Sequence, residues 1–133
     1  MRTDFPEFHD GWFDGIRVGE DTATLYLRER NGKDRTLILE GVKALQMDDF
    51  RQGNIVVELE TTKGARPSSN TPWERLFPSP HPSADQQYHD KYAQFLEAEI
   101  AKIVSGEHSL VMLSPAYGAD LLAVCREASF RAT

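Results

Sequence analysis

The side chains that could do chemistry near neutral pH are the four histidines and the single cysteine of this 133-residue chain. Two histidines sit beside carboxylates, in His9-Asp10 and His89-Asp90. Two imidazoles and two carboxylates could bind a divalent cation or share a proton. Adjacent residues, however, point to opposite sides of a strand, or about 100° apart on a helix. Metal motifs space their ligands two to four residues apart instead. Neither dipeptide can chelate as a unit, so the spacing predicts no metal site.

His89 has a second possible partner in Asp85, one helical turn earlier, with His81 a short way upstream. An i, i+4 Asp85–His89 pair could orient the ring and raise its pKa, and His89, Asp85 and His81 together form the one polar constellation with acid/base potential. The competing reading is structural: a polar side chain at the edge of a docked helix that caps a neighbouring loop. Cys125 lies among Ala123, Val124 and other apolar residues, where a cysteine behaves as a small inert hydrophobe rather than a nucleophile. No Gly-x-Ser-x-Gly elbow, P-loop or Gly-x-Gly-x-x-Gly is present. No catalytic residue and no cofactor is assigned, and an enzymatic role is not favoured.

The elements that would hold these residues can be read from periodicity. Trp12–Val18 reads as a strand, followed by the turn residues Gly19-Glu20-Asp21. In Thr22–Arg30, Ala23, Leu25 and Leu27 alternate with polar neighbours, the period of a half-buried strand. Asn31-Gly32 is the preferred pair for a two-residue type I′ turn, which predicts a hairpin of 22–30 with 33–40. Gly41-Val42 ends or bulges the second strand, Lys43–Gly53 reads as an irregular connection, and Asn54–Thr62 resumes the alternation. Near the C-terminus, Ser109–Ser114 and Ala119–Phe130 complete the strands, the last apolar on both faces and hence central.

Between them lies a stretch, 63–82, that holds five of the seven prolines. Loops of that length are usually functional or mobile. Within it Thr71-Pro72-Trp73-Glu74 fits a capping box for one helical turn. A long helix is expected from Ser83 to Ser105, capped by Ser83 with Gln86 and closed by Gly106, with Tyr88, Tyr92, Phe95, Leu96, Ile100, Ile103 and Val104 on its apolar stripe. The expected fold is therefore α+β in one domain, 1–133: a mostly antiparallel β-sheet of about six strands, in the order β-β-β-β-α-β-β, carrying one long docked amphipathic helix and a Pro-rich loop.

Composition narrows the function classes. Hydrophobic residues make up 40% and charged residues 27%, ordinary globular usage that argues against wholesale disorder. The net charge of −6 argues against nucleic acid or an anionic membrane as partner. Residues 1–60 carry 13 acidic and 8 basic side chains, which suits a basic protein partner or a cationic ligand. No apolar run reaches the 18 or so residues of a membrane span, no signal peptide is evident, and the lone cysteine fits a cytoplasmic setting. Trp73, Phe77 and Trp12 are candidate interface anchors, since aromatic side chains dominate binding hot spots.

Four short pieces, Phe8-His9-Asp10-Gly11, Leu39-Glu40-Gly41-Val42, Asn54-Ile55-Val56 and Tyr117-Gly118-Ala119-Asp120, resemble in kind and order small bacterial domains of unknown function. Some of that group are immunity proteins of polymorphic toxin systems. The resemblance implies a β-rich fold, a bacterial source and a toxin-neutralising role, and it transfers no catalytic residue. The sequence thus points to a non-enzymatic protein-binding module, acting on a basic partner or by self-association. The alternative is a small enzyme or ligand-binding domain with its pocket between the helix 83–105 and the loop 63–82.

Overall fold

The computed structural model describes residues 1–132. Its strands are β1 (Arg2–Asp4), β2 (Trp12–Val18), β3 (Thr22–Arg28), β4 (Asp34–Asp48), β5 (Asn54–Thr62), β6 (Ser109–Tyr117) and β7 (Asp120–Phe130). Two helices, α1 (Trp73–Leu76) and α2 (Gln86–Val104), lie between β5 and β6. Consecutive neighbours β2-β3-β4-β7-β6 pair antiparallel, and β5 pairs with both β6 and β2. Six strands therefore close into a barrel, with β1 added on β5 so that Arg2 faces Thr62.

Period-two alternation sorts the side chains inside and outside. Leu25, Leu27, Leu37, Leu39, Leu59 and Leu121 point into the barrel and are at most 1% exposed. A 3-10 turn at Pro6–Phe8 drives Phe8 into the same core, where its ring stacks on Phe130 at 5.6 Å. The opposite face of β6 and β7 presents Leu110, Leu122 and Val124 outward, and these are covered by Trp73 and Leu76 of α1 and by Ile100 and Ile103 of α2. β7 is thus apolar on both faces because one face fills the barrel and the other meets the helices.

This architecture corrects the expected α+β sheet with a docked long helix. The sheet is a closed barrel, and alternation along a strand is identical for an open sheet with one wet face and for a barrel. Closure depends on pairing between distant strands, which no local pattern carries. The helix is shorter than expected at both ends and begins after Asp85, whose side chain makes no cap bond. Only its C-terminal half is sealed against the barrel: Glu99, Ile100 and Ile103 are buried, while Tyr88 and Phe95 stay 51% and 42% exposed. Toward its start the helix leans on the proline-rich segment, where Tyr92 Oη donates to Phe77 O at 2.6 Å and Phe95 packs edge-on to Phe77.

Other expectations shift for local reasons. The hairpin of β3 and β4 is present, with Leu25 opposite Leu37. Its connection is longer than a type I′ turn: Glu29 N–H donates to Lys33 O, and of Asn31 and Gly32 only Gly32 has positive φ. Residues 43–48 are strand, not irregular connection. β4 has Gly41 at φ 63° and bulges between Val42 and Ala44; its first part, Asp34 to Glu40, pairs with β3 on one side, while β7 pairs along its other side from Leu37 to Asp48. Thr71 does not close a capping box; its hydroxyl donates to Ser68 O, and Pro72 stands before α1.

Barrel leucines should dominate stability. Leu39→Ala is expected to cost about 2–5 kcal/mol, whereas Val104→Ala on the exposed side of α2 should change stability by under about 0.5 kcal/mol. Urea unfolding of the two variants checks the contrast.

Candidate functional site

The best-built recess forms where β5 begins, and it is organised by one buried amide. Asn54 is 2% exposed. Its Oδ1 accepts from Arg51 N (2.8 Å) and Ala119 N (2.9 Å), and its Nδ2 donates to Phe13 O (3.1 Å). One side chain thereby ties together the β4–β5 loop, the start of β2 and the β6–β7 turn. Gly118 is required beside it, because a Cβ there would lie 2.2 Å from Asn54 Oδ1 and the residue holds φ at 88°.

Over this hub lies a cleft of about 550 Å³ lined by Asp14, Arg28, Phe50, Arg51, Gln52 and Gly53. A bulge between Phe13 and Gly15 turns Asp14 outward, and Arg28 grips it with both Nε (2.7 Å) and Nη2 (3.0 Å). The Arg28 guanidinium also lies 4.5 Å above the Trp12 ring. Arg51 is held similarly, by Asp49 at 2.8 Å and over the Tyr117 ring at 5.9 Å. Hydrogen bonds donated to these carboxylates keep both guanidiniums more firmly protonated than usual. Cross-strand pairing lines up Arg28, Trp12, Ile55 and Tyr117 across β3, β2, β5 and β6 on the outside of the barrel. Phe50 packs edge-on to Phe13 beneath it yet keeps 45% of its surface exposed.

A second recess, of about 490 Å³, lies between the proline-rich loop and α2, with Arg66, Ser68, Ser69, Trp73 and Ile100 among its walls. His81, Asp85 and His89 line neither recess. His81 Nδ1 contacts Ser83 Oγ at 2.7 Å, Asp85 stands at the start of α2, and His89 is half-buried in its first turns. Among the described residues no side-chain hydrogen bond or ion pair joins these three. Trp73 is buried between α1 and the barrel, Phe77 is half-buried against Phe95, and Trp12 is half-buried beneath Arg28.

His9 Nδ1 meets Val57 O at 2.8 Å, and His9 Nε2 lies 3.7 Å from Asp10. Asp90 accepts from Gln86 Nε2. Among the described residues no three His, Cys, Asp or Glu side chains are grouped to hold a metal ion, and no helix is long and apolar enough to cross a membrane. Cys125 points into the barrel, where burial pushes its thiol up to about 11. Sequence reasoning missed Arg28, Phe50, Arg51 and Asn54. Three of them sit in or beside the segment read as an irregular connection, and their convergence depends on barrel closure.

No family model matches the chain, and no curated protein is significantly similar to it. An uncharacterized protein from Neisseria gonorrhoeae, known from a crystal structure, has the same fold with a TM-score of 0.53 at 9% identity, over 100% of this chain and 99% of that one. That likeness concerns the fold alone.

Removing the Asn54 amide strands buried partners. Asn54→Ala is expected to cost about 1–3 kcal/mol and to speed hydrogen exchange at the Arg51 and Ala119 amides before it affects the barrel centre. For Cys125, the raised pKa means that an unfolded chain loses the thiol proton near 9 while the folded one keeps it to about 11. Folding therefore loses stability as pH rises between those values. Ellman's reagent should leave the native chain unmodified at pH 8 and react with one thiol per chain in denaturant.

Proposed function

We propose that this chain is a non-enzymatic protein-binding module that docks a basic protein on the barrel wall formed by β2 and β3. The observation that carries this reading is the one-sided coverage of the barrel. α1 and α2 cover the outer face of β6 and β7, whereas among the described residues no helix lies over the outer face of β2 and β3. There Tyr26 is 40% exposed and lies across Gly15, close to the stacked Trp12 and Arg28. Trp, Tyr and Arg are the residue types that supply most interface energy.

Charge supports a basic partner. Glu20, Asp21 and Glu40 are exposed around the β2–β3 turn, Glu40 standing opposite Thr22. Among the described residues none of the three takes part in an ion pair. Together with the net charge of −6 they would steer a cationic protein toward this wall. A basic toxin, as in the immunity-like resemblance, is the sharpest form of such a partner, and the cytoplasm is the compartment proposed for the encounter.

The test is affinity capture from the native host with the intact chain and with a Tyr26→Ala/Glu40→Lys double variant. The expected result is one stoichiometric basic protein, retained at low salt, weakened as salt rises, and lost with the variant. Recovery of the chain alone, of a homodimer, or of a partner indifferent to the double variant would sink the reading.

A further inference from the structure

We propose that the cleft above Asn54 is a binding site for a small ligand joining an anionic group, carboxylate or phosphate, to a flat apolar one. This goes beyond the docking wall: it concerns the neighbouring cleft, which shares Arg28 with that wall, and a different class of occupant. Two guanidiniums line the cleft, and the fork of N–H donors on arginine matches both kinds of oxyanion. Arg28 spends Nε and Nη2 on Asp14 and has Nη1 to offer, while Arg51 meets its carboxylate through Nε and, among the described residues, its Nη groups have no acidic partner.

Both arginines already have a placement in the fold. Each is pinned at one edge by an aspartate and lies over an aromatic ring. The loop beneath them is tied to β2 and to the β6–β7 turn through Asn54. A ligand would therefore meet donors already aimed by their aspartates and rings, which lowers the ordering cost of binding. Beside them Phe50 presents an exposed ring whose other edge is fixed on Phe13. That ring offers a flat ligand a stacking wall, and the Gln52 amide adds a neutral polar group. The volume of about 550 Å³ falls within the range of small-molecule sites. Asp14 and Asp49 balance the two cations, so the cleft selects by hydrogen-bond geometry and stacking more than by net charge.

The experiment is a titration of the intact, isotope-labelled chain followed by 1H–15N correlation spectra. Phenyl phosphate and benzoate serve as the two anionic probes, benzyl alcohol as a ring without charge, and inorganic phosphate as an anion without a ring. The expected result is saturable shifts at the Phe50–Gly53 amides and the Arg28 and Arg51 Nε signals with at least one anionic probe, the tighter of the two naming the anionic group. Arg51→Ala and Phe50→Ala should each weaken that probe by about tenfold, with the rest of the spectrum unchanged as the control for folding. The proposal is overturned if neither anionic probe shifts those signals, or if the shifts persist in Arg51→Ala. Equal binding of benzyl alcohol would remove the anionic requirement, and equal binding of inorganic phosphate the apolar one; either result overturns it too.

Discussion

A sheet of six antiparallel strands leaves two edges of unpaired N–H and C=O groups unless its outer strands meet. Here the meeting falls on β5, and the remaining features follow from how that strand is satisfied. One of its sides pairs with β6 along nearly its whole length. The other is shared: β2 covers Asn54 and Ile55, and β1 covers Glu60 to Thr62. The gap between them is filled by the segment leading to β2. Phe5 N–H donates to Leu59 O, Asp10 N–H to Val56 O, and Val56 N–H to Gly11 O. The same segment delivers Phe8 to the core, so satisfying the edge and plugging the barrel are one event.

The opposite wall solves a different problem. Leu110, Leu122 and Val124 face outward and need a cover, which α1 and the C-terminal half of α2 supply. A polar clamp accompanies that cover: Glu99 is buried, and Lys43, projecting from the bulge in β4, reaches it at 2.6 Å. Hydrogen bonding to Glu99 holds the Lys43 ammonium more strongly protonated than usual. Such a pair adds little net stability but penalises any other placement of the helix, since a lone buried carboxylate is costly. Arg75 does related work for α1, reaching Gln46, Asp48 and Asp120.

The β4–β5 loop is short of regular structure, and Asn54 anchors it with side-chain hydrogen bonds in place of ladder ones. That explains how a surface recess can hold two guanidiniums on aromatic rings without burying them. The bare β2–β3 wall and the arginine-lined cleft are neighbours: Arg28 lines the cleft and lies over Trp12 on the wall. The histidines take no part in either; His81 and His89 remain near the start of α2 with local contacts.

The amino-acid pattern alone determined which residues face inward along β3, where the β3–β4 hairpin lies, and that a helix occupies the region of Ser83 to Ser105; along β5 strict alternation sets Val56 apart from Leu59, and only the bulges put both in the core. The first three features depend on side-chain periodicity and turn chemistry within a few residues, so they are local. It also determined that Cys125 is a packed side chain, since its neighbours are apolar on both sides. Barrel closure, the continuation of β4 past Gly41 along β7 to Asp48, and the exposure of Tyr88 and Phe95 were decided only by the tertiary structure. Each depends on which distant backbone edge a strand meets, or on what stands opposite a helix face. The cleft belongs to that second group: Arg28, Phe50, Arg51 and Asn54 are unremarkable in the chain and become a site only when β2, β5 and the β6–β7 turn converge on one buried amide.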